Sequence, residues 1–418
     1  IGQLQIMTPD IVVQKYGGSS IADPDRVVGV ANRIKASLEQ IGRLVVVVSA
    51  MGDTTDSLVA LAQKVSRYPS GREMDLLLAS GEQVAVSVLG LALQDRGIPA
   101  ISLTASQCGI RTNGVFNLAR IRSIDTRRIL KELDEGRVVI ITGFQGVNEA
   151  EEITTLGRGG SDVTAAAVAS ALGASVCEIC TDVAGVSSAD PQLIGNARVL
   201  PEISYEEAIE LASSGAKVLH PRAAEICMSY QIPIHVRSSF SEDSGTWIIA
   251  GDSTMEQAEV VGVTSDKGIA KVTLLNVADA PGTAAQLFEE LADQAISIRL
   301  IIQSASSEDR ARITFILDEE FVPGASVVLE RWKTEGLTSE VLIEGDVAKI
   351  SIVGSRLGST PGLAARMFKT LATEGINIDC ISSSEMKVAC IIGSSYLDRA
   401  VKAVHAEFFK VKPEVVVG

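Results

Sequence analysis

The sequence has little of what several common classes of catalytic and secreted proteins depend on. Its 418 residues contain only three histidines and six cysteines, and aromatic residues make up 4% of the chain. Three scattered histidines argue against a histidine-based catalytic triad or a histidine zinc site. Six cysteines in so long a chain do not resemble a disulfide framework. Cys177 and Cys180 have redox spacing, but they fall in an apparent buried strand, where we expect a structural role.

Positive charge is also scarce. There are 37 lysines and arginines against 52 acidic residues, which gives a formal net charge of −15. Because such a surface repels other anions, we expect neither nucleic acid nor a membrane as a partner. We find no run of about 18 apolar residues in the sequence and no signal-peptide pattern at its start, so we expect a cytoplasmic protein. An anionic substrate would have to be held by local basic residues.

The length and the apolar content indicate a well-buried protein of two or three domains. Hydrophobic residues make up 46% of the chain and charged residues 21%, which is typical of a globular protein. A single hydrophobic core rarely extends beyond roughly 250 to 300 residues.

Short apolar segments that run directly into loops of small residues dominate the first half of the chain. The clearest are Ile11–Lys15, Leu44–Val48, Val138–Thr142 and Val176–Cys180. Helical patterns separate them, and this alternation predicts an α/β fold with a mostly parallel sheet and helices on both faces. The carboxyl ends of parallel strands meet at one edge, where open α/β sheets bind ligands. We therefore expect the glycine loops to lie together.

Residues 154–162 form the most informative of these loops. Three glycines occur within four positions, beside Arg158, which can bind a carboxylate or phosphate with two hydrogen bonds. Ser161 and Asp162 precede an apolar helical run, so we expect them to cap a helix N-terminus that favours anions. A solvated glycine-rich turn is the alternative.

Three other charged residues are candidates for the same site. Lys15 lies at the end of a strand close to Gly17 and Gly18, and Lys217 lies two residues after Gly215. Glycine amides with a lysine suit a phosphate group. Glu82 lies among apolar neighbours; an inward-facing carboxylate would need a charged partner, and a solvated helix face is the alternative.

An internal repeat occupies the last third of the chain. Pro281-Gly282 and Pro361-Gly362 are 80 residues apart, and residues 281–298 are identical to residues 361–378 at nine of eighteen aligned positions. Each copy predicts a ferredoxin-like βαββαβ unit. The predicted strands include Lys271–Val277, Glu340–Ile343, Val347–Val353, Ile376–Ser382 and Glu414–Val417.

The chain lacks the two common phosphoryl-transfer motifs, the Gly-x-x-x-x-Gly-Lys loop and the kinase His-Arg-Asp. Its own motifs resemble the amino-acid kinase family over essentially residues 11–418, and the C-terminal repeat resembles two ACT domains. The segments that carry the resemblance are residues 15–20, 49–55, 80–82, 143–146, 154–162, 181–186 and 215–221. The implied domains are a catalytic domain at 11–250, a first ACT unit at 260–343 and a second at 344–418, with strands near 260–270 able to pair with the second unit.

The resemblance implies transfer of a phosphoryl group from ATP to the side-chain carboxylate of L-aspartate, giving 4-phospho-L-aspartate and ADP. Mg²⁺ would be held mainly by the ATP phosphates and water, with no dedicated protein metal site. No general base is required, because the attacking carboxylate is already ionised at pH 7. The ACT domains imply a homodimer that is inhibited by lysine, threonine or both.

The resemblance also implies a role for individual residues. The catalytic residues would be Lys15, Asp162 and Lys217, and the aspartate-binding residues Ser49, Thr54, Glu82, Arg158 and Ser161. ATP would be held by Lys15, Gly17, Gly18, Ser19, Thr181, Asp182, Gly185, Asp190 and Lys217. The effector-binding residues would be Asp279, Gly282, Ala284, Ile298, Gln303, Asn377 and Ile378.

Three positions depart from the family pattern. Cys180 and Ser187 replace common aromatic residues near the nucleotide, and Arg299 reverses a charge in the first ACT unit. Arg299 could change which amino acid binds or how the units pair. The alternatives are an amino-acid kinase with another substrate, and a catalytically silent amino-acid sensor subunit.

Overall fold

The computed structural model describes residues 10–67, 69–251, 260–294, 296–305 and 309–409. The predicted strand Glu414–Val417 lies outside these ranges. The chain divides into two compact units. The first comprises residues 1–187, 198–213 and 217–255, and the second comprises residues 188–197, 214–216 and 256–418. Two short segments from the middle of the sequence therefore belong to the second unit.

An eight-stranded sheet forms the centre of the first unit, in the order β10-β12-β11-β9-β1-β2-β6-β3. Every adjacent pair is parallel except β11 with β12, so the predicted mostly parallel sheet is confirmed. Its strands are β1 (Ile11–Tyr16), β2 (Arg43–Val48), β3 (Ala100–Leu103), β6 (Val138–Thr142), β9 (Val176–Thr181), β10 (Glu202–Ser204), β11 (Ile234–Ser238) and β12 (Thr246–Ile249).

Helices cover this sheet on both faces, which explains why its central strands are apolar throughout. Leu44, Val46 and Val48 of β2 pack in one cluster with residues of two helices, whereas Val45 and Val47 are equally buried on the other face. The helices are α1 (Pro24–Leu38), α2 (Thr54–Val65), α3 (Arg72–Gln94), α4 (Arg127–Asp134), α5 (Gly160–Leu172), α6 (Tyr205–Ser214) and α7 (Pro221–Tyr230).

One helix, α3, is long and apolar enough to cross a membrane by length and composition alone. Half of its most hydrophobic window is buried inside the protein. Its buried face includes Leu78, Val86, Leu89 and Leu93, and residues of this face belong to the main core. This burial is typical of a core helix in a globular unit.

A second, four-stranded sheet in the first unit has the order β5-β4-β7-β8. Its strands are β4 (Ile110–Thr112), β5 (Ile121–Ile124), β7 (Gln145–Val147) and β8 (Ile153–Thr155). These strands are three or four residues long and were not predicted from the sequence, because so short a segment shows no measurable alternation. The last of them leads directly into residues 157–162.

The second unit is built on one six-stranded sheet, in the order β14-β15-β13-β16-β18-β17. The strands are β13 (Val260–Ala278), β14 (Ile298–Ala305), β15 (Arg310–Asp318), β16 (Glu340–Gly354), β17 (Cys380–Ser383) and β18 (Lys387–Gly393). The helices are α8 (Thr283–Asp293), α9 (Val322–Thr334), α10 (Leu363–Thr373) and α11 (Leu397–Phe408). Helices α8 and α10 begin 80 residues apart and end 80 residues apart, which is the predicted repeat.

Four predicted strands of the repeat differ from the structure. Lys271–Val277 is the second half of the longer strand β13, and Glu340–Ile343 with Val347–Val353 forms the single strand β16. The two long strands pair with each other in both halves, so each serves both ACT units. The prediction of Ile376–Ser382 was wrong in its first half, because β17 begins only at Cys380.

Candidate active site

The carboxyl ends of β1 and β2 bring two glycine loops into contact. The amide of Gly52 donates a hydrogen bond of 3.0 Å to the carbonyl of Gly18. A Cβ atom at Gly18 would lie 2.7 Å from the carbonyl oxygen of Ala50, so only glycine permits this approach. The loop after β6 joins them, since a Cβ at Gly143 would lie 2.6 Å from Oγ of Ser161. The expected clustering of the loops at one edge is therefore observed.

An ion pair connects β1 to helix α5 at this edge. Nζ of Lys15 lies 2.7 Å from Oδ1 of Asp162, and both side chains are about nine-tenths buried. The other oxygen of Asp162 accepts a hydrogen bond of 3.1 Å from the backbone N–H of His220. Asp162 thus fixes the Lys15 ammonium and the turn before α7 in one arrangement. A cation held in this way can neutralise a phosphoryl group without first reorganising.

The predicted capping role of Ser161 and Asp162 was wrong. The N-cap of α5 is Gly159, which has φ +76°, and no side chain caps the helix. Ser161 and Asp162 lie inside the first turn and are buried. Asp162 does not bond to its own helix amides because its carboxylate is engaged by Lys15 and His220.

Glu82 points into the protein and lacks the charged partner that its burial led us to expect. It is 3% exposed, and its Oε1 accepts a hydrogen bond of 2.9 Å from the amide of Ala50. Its Oε2 is buried without a hydrogen-bond partner among the described residues. Burial is the main reason that the pKa of Glu82 is raised to about 7, although the Ala50 amide opposes the rise. An unpaired buried carboxylate oxygen fits an ammonium group supplied by a ligand.

The loop after β2 lies against Glu82 because the preceding residue is glycine. A Cβ at Gly81 would lie 2.8 Å from Cβ of Ala50 and 3.5 Å from Cγ2 of Thr54. Thr54 begins α2, and its hydroxyl donates a 2.5 Å hydrogen bond to the carbonyl of Met51. Ser49 is half-buried in the same loop. The structure therefore brings Glu82, Thr54 and Ser49 together.

The two other predicted cations are exposed. Arg158 follows Gly157, which has φ +82°, and Lys217 lies in the turn between α6 and α7. Among the described residues, neither side chain has an ion-pair partner. Gly159 brings the Arg158 loop against the turn before α7, since a Cβ there would lie 2.4 Å from Cδ2 of His220. Both cations are available to a ligand.

Residues at the end of β9 form the predicted nucleotide-binding segment. The Thr181 hydroxyl donates a hydrogen bond of 3.1 Å to Asp182, and Gly185 lies so close to Thr246 that a Cβ would be 2.6 Å from its Oγ1. Asp190 lies in the segment that belongs to the second unit, where its carboxylate accepts a hydrogen bond of 2.8 Å from the amide of Gln192.

Sequence reasoning missed three residues that hold the site together. Asp75 is fully buried on α3 and accepts hydrogen bonds from the amide and hydroxyl of Thr155, at 2.8 and 2.7 Å. Arg222 donates to the carbonyl of Leu156 at 3.0 Å. Ser239 bonds to the hydroxyl of Ser20 at 2.7 Å and, through its amide, to the carbonyl of Thr181. No local pattern marks these residues, because each acts on a segment far away in sequence.

The predicted effector residues come from both ACT units, and Ile298 and Ile378 occupy corresponding positions of the 80-residue repeat. In the first unit, Gly282 is the N-cap of α8 with φ +97°, and Gln303 donates a 3.4 Å hydrogen bond to Asp279. Ala284 and Ile298 are half-buried nearby in sequence. In the second unit, Gly362 is the matching N-cap with φ +92°. Asn377 is exposed and Ile378 packs against the core of that unit.

Comparison with known proteins agrees with this architecture. The amino acid kinase family matches residues 10–238, and ACT domains match residues 271–336 and 350–408. An aspartokinase of Geobacillus stearothermophilus is 45% identical over 95% of this chain and 97% of its own length. Aspartokinase 2 of Bacillus subtilis is 44% identical over the same shares. A crystal structure of E. coli aspartokinase III with aspartate and ADP is 27% identical, with a TM-score of 0.82 over 96% of this chain and 100% of that one.

The chain therefore belongs to the amino acid kinase family, with two ACT domains after the kinase domain. The relatives that match almost its whole length are aspartokinases. Within the family it is an aspartokinase, an ATP-dependent kinase whose acceptor is a carboxyl group.

Proposed function

We infer that this chain binds MgATP and L-aspartate at the edge formed by β1, β2 and α5, and that it produces 4-phospho-L-aspartate and ADP there. The observation that carries this proposal is the pairing of two features at one edge. Asp162 holds the Lys15 ammonium in place, and Glu82 presents a buried oxygen without a partner. The fixed ammonium of Lys15 suits a phosphoryl group, and the free oxygen of Glu82 suits the ammonium group of an amino acid.

The roles of the lysines follow from their surroundings. Lys15 is fixed and nearly buried, so it would neutralise the phosphoryl group during transfer. Lys217 is exposed and would contact the phosphates of the nucleotide. Asp162 would orient Lys15 rather than accept a proton, because the attacking carboxylate of aspartate is ionised at neutral pH. Ser161, buried beside Gly143, would bind an oxygen at the reacting end of the substrate.

Aspartate would be held by its α-ammonium group and its α-carboxylate. Its ammonium group would bind Glu82, and its α-carboxylate would bind Arg158, whose planar guanidinium can donate two parallel hydrogen bonds. Ser49 and Thr54 would complete the pocket with hydroxyl groups. This arrangement leaves the side-chain carboxylate of aspartate directed towards the phosphoryl group.

The nucleotide would lie along the end of β9. Gly17, Gly18, Ser19 and Gly185 would offer backbone amides to the phosphates, and Thr181, Asp182 and Asp190 would offer polar side chains. Mg²⁺ would be held mainly by the ATP phosphates and water, as suits this strongly hydrated ion.

The ACT domains would make the kinase responsive to lysine, threonine or both. A crystal structure of E. coli aspartokinase III with lysine and aspartate, called the T-state, is 26% identical to this chain with a TM-score of 0.71. Asp279, Gly282, Ala284, Ile298, Gln303, Asn377 and Ile378 would bind the effector. We infer a cytoplasmic homodimer assembled through residues 260–343 and 344–418, with residues 11–250 as its catalytic domain.

The test is production of ADP and acyl phosphate by purified protein given MgATP and L-aspartate. Hydroxylamine traps the acyl phosphate as a hydroxamate. Aspartate-dependent hydroxamate supports the proposal, and adding lysine, threonine or both identifies the effector. Turnover with another amino acid but not with aspartate would replace the substrate, and no turnover with any amino acid would favour a sensor subunit.

A further inference from the structure

The segment that we assign to the nucleotide, residues 181–187, is held at both ends by residues that follow it by about 60 positions. At one end, the carbonyl of Thr181 accepts a hydrogen bond of 2.7 Å from the amide of Ser239, which directly follows β11. At the other end, the amide of Val186 donates a hydrogen bond of 2.9 Å to the hydroxyl of Thr246, the first residue of β12. Residues 182–186 belong to no helix or strand, so their conformation depends on contacts of this kind.

The hydroxyl of Thr246 occupies a place that a backbone hydrogen bond normally fills. Ser187 and Val199 form an antiparallel bridge, and the amide of Leu200 donates a hydrogen bond of 2.8 Å to the carbonyl of Val186. In a regular antiparallel pair, the amide of Val186 would donate to the carbonyl of Leu200 in return. Here the Thr246 hydroxyl lies between them, because it accepts from the Val186 amide and donates to the Leu200 carbonyl at 2.6 Å. The hydroxyl therefore sets the spacing of the two backbone segments.

This hydroxyl is buried and closely surrounded. Thr246 is 0% exposed, and a Cβ atom at Gly185 would lie 2.6 Å from its Oγ1. The hydroxyl also lies 3.4 Å from the carbonyl of Val186, which is too long to compete with Leu200 for the same proton. Loss of the hydroxyl would leave the Val186 amide and the Leu200 carbonyl without their partner, which is costly in a buried place. A direct bond between them would restore both, and it would move Val186 towards Leu200.

We propose that Thr246 is a positioning residue for the nucleotide. Its hydroxyl keeps Val186 at a fixed spacing from Leu200, and this spacing places Asp182 and Gly185 at the end of β9. Thr246 acts through this segment and does not itself touch the nucleotide. The inference rests on the proposed function, in which ATP lies along the end of β9. The aspartate-binding residues lie on other elements, so loss of the hydroxyl should weaken nucleotide binding alone.

The experiment compares Thr246→Val, which removes the hydroxyl at nearly constant volume, with Thr246→Ser, which retains it. Steady-state kinetics of the full-length proteins give KM for ATP at saturating aspartate and KM for aspartate at saturating ATP. Calorimetric titration with MgADP gives the nucleotide affinity independently of turnover. Thr338→Val is the matched control, because Thr338 is 2% exposed and its hydroxyl donates to the carbonyl of Leu275 at 2.7 Å, in the second unit. Thermal melting checks the folding of each variant.

Thr246→Val should raise KM for ATP and the dissociation constant of MgADP by about five- to tenfold, as for loss of one hydrogen bond. Its KM for aspartate should stay within about twofold of the wild-type value. Thr246→Ser should restore the nucleotide affinity. Thr338→Val should lower the melting temperature without changing either KM. If Thr246→Val does not fold, Thr246→Cys replaces it, because a thiol is a weak donor and acceptor.

Unchanged MgADP affinity in a folded Thr246→Val variant overturns the proposal, as does a Thr246→Ser variant that is equally impaired. An equal rise of both KM values, or the same rise in Thr338→Val, would show general destabilisation and would also overturn it. Failure of the proposed function has a different signature, because the wild type would then give no aspartate-dependent hydroxamate. The MgADP titrations would still decide the role of Thr246.

Discussion

The buried carboxylate of Glu82 is only partly hydrogen-bonded in the ligand-free protein, and a bound ligand could supply the partner that it lacks. One oxygen accepts a hydrogen bond from the amide of Ala50, and the other has no partner in the described structure. Since burial raises its pKa to about 7, the site holds a substantial fraction of neutral Glu82 near physiological pH. An incoming ammonium group would favour the ionised form.

This predicts that the KM for aspartate falls as pH rises through 7. At pH 6 most of Glu82 is protonated and cannot form an ion pair, so KM should be about tenfold higher than at pH 8. The Glu82→Gln variant should have a high KM that no longer changes over this range. Steady-state kinetics from pH 6 to 8 measure both, and a pH-dependent KM in the variant would contradict the assignment.

The same pKa predicts the effect of Glu82→Gln on stability. Between pH 4.5 and 7 the folded protein retains a proton on Glu82 that the unfolded chain has lost, so the free energy of unfolding of the wild type falls as pH rises across this window. The variant has no ionisable group at this position, so its free energy of unfolding does not fall in this way. At pH 8 it should therefore be more stable than the wild type, by up to about 3 kcal/mol. Urea unfolding at pH 4 and pH 8 tests this, because the difference should disappear at the lower pH.

Lys15 provides a second prediction for a single residue. Lys15→Ala removes a fixed cation beside the transferring group, so kcat should fall by about 10²- to 10³-fold or more, with a much smaller change in the KM for aspartate. Lys64→Ala, on an exposed position of α2, is the control and should leave both constants unchanged. A Lys15→Ala enzyme with near-normal kcat would refute the role of this residue.

At the scale of secondary structure elements, the approach to α5 places three of the proposed site residues at once. Arg158 precedes the N-cap Gly159, and Ser161 and Asp162 lie in the first turn. Gly159 has a positive φ and contacts the ring of His220, which in turn caps α7 by accepting a hydrogen bond from the amide of Arg222. A larger residue at position 159 would therefore displace the Arg158 loop from the turn before α7.

Gly159→Ala should consequently reduce both stability and turnover. Gly173→Ala is the matched control, because Gly173 caps the other end of α5 with φ +59° but has open space around its Cβ position. Both variants should lose about 1 kcal/mol of stability from backbone strain. Only Gly159→Ala should lose more than this and raise the KM for aspartate. Equal kinetics in the two variants would contradict the role of the contact with His220.

At the scale of the whole molecule, the two long strands β13 and β16 make the ACT pair a single folded body. Each strand contributes to both ACT units, so the backbone of each unit continues without a break into the other. The segments 188–197 and 214–216 also belong to this unit. In sequence, Lys217 directly follows the second segment and Asp182 lies six residues before the first, and both are residues for which we propose contacts with the nucleotide.

We expect the protein to be a homodimer whose activity falls when lysine, threonine or both are added. Closed symmetric dimers are the commonest assembly of such chains, and inhibition requires that the effector bind the two states with different affinity. Light scattering with and without each amino acid measures the mass, and coupled ADP assays measure inhibition. A monomer under all of these conditions would contradict the predicted assembly.

The sequence by itself determined the fold class, the repeat and most of the candidate site. Leu44–Val48 had to be a central strand, because a strand buried on both faces is apolar at every position. The glycine loops could be placed at one edge because the direction of parallel strands fixes where they end. Lys15, Arg158 and Asp162 were recognisable because each lies within two residues of a glycine, and a resemblance to a known family implied their roles.

Only the tertiary structure decided those contacts of the candidate site that join segments far apart in the sequence. Asp162 could cap its helix or pair with Lys15, and the choice depended on where β1 ends relative to α5. Asp75 and Ser239 have no local signal, since their partners lie 80 and more than 200 residues away. The sequence could not decide whether Glu82 faces the core or the solvent, because the helical pattern around it is compatible with both. Burial and partners are properties of packing, which local sequence cannot specify.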